Sequence, residues 1–156
     1  MDSPYKPPPN LPKWMLHLQV WLLRHRLMGP LSKEMMVITT TGRKSGNRYS
    51  VPIGYVRDGE AVVALNIHAR SNWYQNARVN PHVSLNVRGH EFPAQAEDLP
   101  VDTPEAVNAA LEPFRREQPG RFEQTFQIPL RDATPDHLAK VGEHIRFMRF
   151  TPDDGL

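Results

Sequence analysis

A chain of 156 residues with a net charge of +2, 39% apolar and 23% charged residues has the length and mix of one soluble globular domain. It has no cysteine, which excludes disulfides, thiol nucleophiles, iron–sulfur clusters and thiolate zinc sites. The near balance of charge argues against wholesale nucleic-acid binding. No stretch reaches the roughly 18 uninterrupted apolar residues of a membrane span, and the first residues lack the pattern of a signal peptide, so a cytoplasmic protein is expected.

Residues 1–12 carry Pro4, Pro7, Pro8, Pro9 and Pro12 and read as an extended arm. Leu11 to Met28 reads as a helix, because Leu11, Trp14, Met15, Leu18, Trp21 and Leu22 recur at three- and four-residue spacing before Gly29-Pro30 stops it. Lys13, His17, Arg24 and Arg26 decorate its remaining surface. Such a basic amphipathic helix is expected to dock on the rest of the protein or on a second subunit, with peripheral membrane contact as the competing reading. Residues 1–30 thus form an arm and a helix ahead of a main body at 31–156.

From Met35 the period becomes two. Met35–Thr41, Tyr49–Arg57 and Ala61–Asn66 read as strands joined by tight turns, the second at Asp58-Gly59. Ser71–Val79 reads as a short helix ended by Asn80-Pro81, and Val83–Arg88 with Glu91–Asp98 as a further hairpin. Thr103-Pro104-Glu105 opens a helix to about Glu117, with threonine as cap, proline in the first turn and an acid at the positive end of the dipole. Thr134-Pro135-Asp136 opens another to about Gly142, and His144–Thr151 closes the chain as a strand. The 118–130 segment has no assignable period. Six strands joined mainly by hairpins, with helices inserted, predict an α+β protein: a split antiparallel β-barrel with an N-terminal helix.

Candidate chemistry concentrates at the first hairpin tip. Gly42 and Gly46 let the backbone turn tightly and approach a ligand, while Arg43, Lys44 and Arg48 supply cations and Ser45 a hydroxyl. Such a tip is an anion receptor. It lacks the spacing of a Walker A loop, and Ser45 does not stand in a nucleophile elbow. The seven histidines offer no metal site: His17/His25 and His137/His144 lack one-face helical spacing, and His82 with His90 is at most a cross-hairpin pair.

The run from Met35 to Asn86 resembles the deazaflavin-dependent oxidoreductase family, also called deazaflavin-dependent nitroreductases, whose members are split barrels related to flavin mononucleotide-binding ones. The resemblance is carried by Ile38-Thr39-Thr40-Thr41-Gly42-Arg43-Lys44-Ser45-Gly46, Pro52, Tyr55-Val56-Arg57-Asp58-Gly59, Val62-Val63-Ala64, Trp73-Tyr74-Gln75-Asn76 and Asn80-Pro81-His82-Val83. It implies that Arg43, Lys44 and Ser45 grip the phosphodiester and acidic tail of coenzyme F420, with Thr41, Gly42 and Arg48 among the cofactor-binding residues. It further implies that the backbone of Pro52, Ile53 and Gly54 passes beside the deazaflavin ring, that Leu65 and Asn66 flank the ring or its tail, and that Asn72 and Trp73 wall the pocket. Tyr55, Tyr74 and His68 are candidate proton donors. The chain departs from the resemblance at 66–72, which has neither a Gly-Gly pair nor a lysine, and at 121–130, where Phe122 and Phe126 stand in place of tyrosines.

The implied activity is hydride transfer from reduced coenzyme F420 to a quinone, a nitro compound or an activated double bond. The alternative is a non-catalytic carrier of that coenzyme, of flavin mononucleotide (FMN) or of haem in the same barrel. A homodimer is compatible with the resemblance.

Overall fold

The computed structural model describes residues 11–66, 70–118, 120, 123 and 133–154. Six strands, β1 (Met35–Thr41), β2 (Arg48–Asp58), β3 (Ala61–Asn66), β4 (His82–Val87), β5 (His90–Leu99) and β6 (Arg146–Pro152), close an antiparallel barrel in the order β1-β2-β3-β6-β5-β4. Closure pairs β1 with β4, Val37 opposite Asn86 and Thr39 opposite Ser84.

Because side chains alternate across a strand, each strand serves two environments. Met36, Ile38, Ile53, Tyr55, Ala64, Leu85 and Phe150 fill the barrel. Their neighbours point outward into two smaller cores. On one flank, α3 (Pro104–Glu117) and α4 (Pro135–His144) cover Val56, Val63 and Phe147 with Leu111, Phe114, Leu138 and Val141. On the other, α1 (Lys13–Arg24) covers Val37 with Val20 and Leu23. The helix α2 (Asn72–Val79) packs on β1 and on β5.

Both late helices start as the sequence predicts: Thr103 accepts from the Ala106 N–H at 3.1 Å, and Thr134 forms a reciprocal cap with His137. The helix α4 runs through His144, where a strand is expected from sequence. Arg146, the first residue of β6, donates to the carbonyls of Gly142 and Ile145 and so caps the end of α4.

The N-terminal helix differs more. It spans Lys13–Arg24 rather than Leu11–Met28. It docks on the barrel, but through Val20 and Leu23, while Trp14 (66% exposed), Trp21 (52%), Leu18 and Leu11 stay in solvent. The spacing that predicts the helix is correct; the apolar stripe it marks is not the buried one. Residues 1–10, His68, Phe122 and Phe126 lie outside the described residues.

Candidate anion-binding cleft between α1 and the barrel

The β1–β2 turn is built by its glycines. The Gly42 N–H donates to the Asn47 carbonyl at 2.7 Å and the Gly46 N–H to the Gly42 carbonyl at 2.9 Å. Gly46 adopts φ +73°, which glycine takes without strain. A Cβ on Gly42 would stand 2.7 Å from Ser45 Oγ and 2.8 Å from a ring carbon of Tyr49. Ser45 is partly used inside the turn: its hydroxyl accepts from the Asn47 N–H at 3.2 Å and shares a hydrogen bond with the Tyr49 hydroxyl at 3.1 Å. That bond from Ser45 holds the Tyr49 phenol below its ordinary pKa.

The turn is clamped by α2. Asn76, 3% exposed, accepts at Oδ1 from both the Arg43 N–H (3.2 Å) and the Arg43 guanidinium (2.8 Å), and its amide donates to Thr40 Oγ1 at 3.3 Å. Asn72 Oδ1 accepts a longer bond from the Arg43 guanidinium at 3.5 Å. Neutral amides therefore aim Arg43 without compensating its charge.

Above this turn α1 and the barrel enclose a cleft of about 870 Å3, within the roughly 300–1,000 Å3 range of small-molecule sites. Lys13, Arg24, Arg43, Lys44 and Arg48 line it together with His17, and among the described residues no aspartate or glutamate does. Among the described residues none of these five cations is within ion-pair distance of a carboxylate. Arg24 instead donates to Ser50 Oγ at 3.2 Å, and Ser50 bonds to Thr39 at 2.7 Å. Val51 and Trp73 give the cleft an apolar side. The Trp73 ring stands edge-on to Tyr74 at 5.8 Å and tilted against Phe150 at 6.4 Å.

Of the residues singled out from sequence, Gly42, Arg43, Lys44, Ser45, Arg48, Asn72 and Trp73 line this cleft, whereas Thr41, Pro52, Ile53, Gly54, Leu65 and Asn66 do not. The cleft draws on β2 only from Arg48 to Val51 and takes no residue of β3. Ile53 points into the barrel core, Leu65 packs under the α3–α4 flank, and Asn66 is buried at the end of β3 opposite Arg146. Tyr55 is 4% exposed inside the barrel and is not brought to the cleft. Tyr74 donates to Asp98 Oδ1 at 2.6 Å, and burial together with that bond pushes its pKa well above the ordinary phenol value. Among the described residues the tyrosine that lines the cleft is Tyr49. His82 pairs with Gln95 and His90 with Val87, which puts these two histidines at opposite ends of their hairpin.

Sequence reasoning misses the part played by α1. Lys13, His17, Val20 and Arg24 recur at four, seven and eleven residues, a one-face signal hidden behind the stronger tryptophan stripe. It also leaves Asn76 without a role, although Asn72 and Asn76 share a helix face.

Residues 20–123 match the family described as F420H(2)-dependent quinone reductase. The chain belongs to this family. It is 31% identical over 85 residues to an F420H(2)-dependent quinone reductase of Mycobacterium tuberculosis, a match covering 52% of this chain and 56% of that protein. The chain thus spans little more than half the length of the curated relatives it matches. Two solved structures share the fold: the heme storage protein HutZ of Vibrio cholerae (TM-score 0.53, 16% identity, 88% of this chain and 90% of that one) and a FAD-binding protein of Mesorhizobium loti (TM-score 0.51, 14% identity, 87% and 88%). The family's reductant is reduced coenzyme F420, and the donor set fits it. A phosphodiester with an acidic tail calls for several cations without carboxylates, and a ring calls for an apolar wall.

Proposed function

We propose that this chain is a reductase that uses reduced coenzyme F420, with a quinone-class molecule as acceptor and nitro compounds or activated double bonds as further candidates. The observation that carries this reading is the cleft lined by five cations beside Trp73, with no carboxylate among its described lining residues. When bound, the coenzyme supplies a hydride, which leaves the protein to bind, orient and exclude water. Arg43, aimed by Asn76, and Lys44 and Arg48 hold the phosphodiester. Trp73 and Val51 wall the ring side, and Asn72 sets the edge next to Arg43. Tyr49, its phenol kept below the usual pKa by Ser45, is placed to hold or move a proton at its hydroxyl.

The test is anaerobic oxidation of the reduced coenzyme by a short-chain quinone, followed by loss and return of deazaflavin absorbance. The wild-type chain turns over, and Arg43→Ala/Lys44→Ala raises KM for the coenzyme more than it lowers kcat. Tight coenzyme binding with no turnover on quinone, nitro or enone acceptors contradicts the enzyme reading and leaves the carrier.

The tryptophan stripe supports a peripheral surface contact. We assign Leu11, Trp14, Leu18 and Trp21 to a lipid interface, because exposed tryptophans beside leucines on one helix face suit the headgroup boundary. No helix among the described residues is long and apolar enough to cross a membrane. Sedimentation with anionic vesicles is expected for the wild type and lost in Trp14→Ser/Trp21→Ser. Vesicle-free behaviour with a concentration-dependent dimer would instead give the stripe to a second copy.

A further inference from the structure

We infer that Asp98, on β5 and away from the cleft, is a positioning residue for the site: its hydrogen bond with Tyr74 fixes the placement of α2, and with it Trp73 and Asn76, against the barrel. For the identity of the ligand this rests on the reading above that the cleft takes a deazaflavin coenzyme; the geometry stands without it.

Three residues that line the cleft, Asn72, Trp73 and Asn76, come from α2. That helix has 8 residues, fewer than the roughly 12–15 that an isolated helix needs to be even marginal in water. Its first turn holds no acid, and among the described residues Ser71 gives it no side-chain cap. Its placement is therefore set by contacts with the barrel. One row of them runs along β1 and the turn that follows. Asn76 bonds to Thr40 at 3.3 Å and to the Arg43 guanidinium at 2.8 Å, and the Asn80 amide donates to the Thr41 carbonyl at 3.4 Å. Bonds along a single strand leave a helix free to roll about the line of that strand.

A second point of attachment lies on β5, which β4 separates from β1 in the barrel. The Tyr74 hydroxyl donates to Asp98 Oδ1 at 2.6 Å, and Arg78 Nε meets the other carboxylate oxygen at 3.3 Å. The Arg78 guanidinium also lies 5.7 Å from the centre of the Tyr74 ring. Burial and the Asp98 bond push the Tyr74 pKa well above the ordinary phenol value, so the hydroxyl stays a donor throughout the neutral range. The Tyr74 ring packs with Ala77 in the barrel core, but apolar contact has no preferred direction. A charge-assisted hydrogen bond fixes both distance and angle.

Consecutive helix residues face different ways. Tyr74 reaches β5, while Trp73 lines the cleft with its ring edge-on to Tyr74 at 5.8 Å. A roll of α2 on loss of the Asp98 bond moves Trp73 and Asn76 together, and with Asn76 the aim of Arg43. Displacements of about 1 Å are enough to weaken a site that works by orienting its ligand.

The experiment uses the full chain in a Trp14→Phe/Trp21→Phe background, which leaves Trp73 as the one tryptophan of three. Tyr74→Phe, which keeps the ring, Asp98→Ala, and Asp98→Asn, which keeps the oxygen acceptor, are compared with this parent. The readouts are coenzyme F420 titration, the emission and acrylamide quenching of Trp73 in the free protein, and the unfolding midpoint. Tyr74→Phe and Asp98→Ala are each expected to weaken coenzyme binding about fivefold, the low end of coupling between separate sites. Both should shift Trp73 emission to the red and raise its quenching. The double variant loses no more than either single one, since both remove the same bond, and Asp98→Asn restores most of the affinity and of the Trp73 signal. Unchanged coenzyme affinity in Tyr74→Phe, whatever its unfolding midpoint, gives the bond to the fold alone and overturns the inference. So does an Asp98→Asn that behaves like Asp98→Ala. Should Asp98→Ala fail to fold, Tyr74→Phe decides by itself. If the parent takes up no coenzyme, the reading under Proposed function falls alone, and the free proteins decide the inference. Trp73 signals that shift in Tyr74→Phe and stay parent-like in Asp98→Asn keep it, and unchanged signals in Tyr74→Phe overturn it.

Discussion

The outer faces of β1–β2 and of β2–β3–β6 are each covered by helix, yet the two flanks are made differently. Under α3 and α4 the strands present Val56, Val63 and Phe147, and the helices answer with Leu111, Phe114, Leu138 and Val141. Under α1 the strands present Val37 but also Thr39 and Ser50, and the helix answers with Val20 and Leu23 at one level and with Arg24 at the next. The first flank is dry and continuous. The second opens after one apolar layer into a cleft whose cations meet no carboxylate among the described residues. Removal of apolar area from water is the main source of stability, so the first flank holds the fold. The second gives up part of that burial for a surface that only a ligand can complete.

That contrast is broken or sharpened by substitutions that act on one flank and not the other. The largest effect is expected from Phe147→Ala, since Phe147 is fully buried between barrel and α3. It should cost about 3–5 kcal/mol, read as a fall in midpoint on chemical unfolding, while the protein that remains folded keeps its ligand affinity. Next comes Arg43→Ala/Lys44→Ala, where the loss of two charge-assisted bonds, together about 3 kcal/mol, weakens coenzyme binding about a hundredfold. The unfolding midpoint should move little, and a large fall in midpoint would mean that the tip is structural.

Asn76→Ala lies between the two. It removes the acceptor of the Arg43 N–H and guanidinium and the donor to Thr40, so about 1–3 kcal/mol of stability should go together with about a tenfold loss of affinity. If stability alone changed, Asn76 would hold the fold and not the aim of Arg43.

The smallest effect concerns pH. The folded Tyr74 phenol has a pKa raised by burial and by Asp98, so the unfolded chain releases this proton first. The contribution is fully present below about pH 10, the ordinary phenol value, and is lost as pH rises through the folded pKa. Unfolding midpoints measured across that range should fall with pH in the wild type and less steeply in Tyr74→Phe.

Much of the barrel is legible in the sequence because its signals are local. Alternation, Asp58-Gly59 and the two Thr-Pro openings each lie within a few residues, and β1 and β3 keep the bounds expected from them. The hairpin cations are legible for the same reason. What escapes is set by packing between distant segments. Which of two stripes on α1 faces the barrel depends on the shape of the β1–β2 surface, and two tryptophans outweigh Val20 and Leu23 in any pattern read from the helix alone. The placement of Leu65, Ile53 and Asn66 away from the cleft follows from where the cleft sits, since it uses the turn end of β2 up to Val51 and no part of β3. Tyr55 and Tyr74 look like site tyrosines by type and are core residues by place, while Tyr49, beside the turn, is at the cleft.

The central claim is that the α1 flank is a cradle for a ligand with several negative charges on an acidic tail. The most direct measurement is a titration of the full chain with coenzyme F420 and, in parallel, with FMN, at low and at raised salt. The account predicts micromolar or tighter binding of the coenzyme, about 8 kcal/mol, much weaker binding of FMN, and a coenzyme affinity that falls steeply as salt screens the cleft. FMN binding as tightly as the coenzyme, or coenzyme binding that is indifferent to salt, would contradict it.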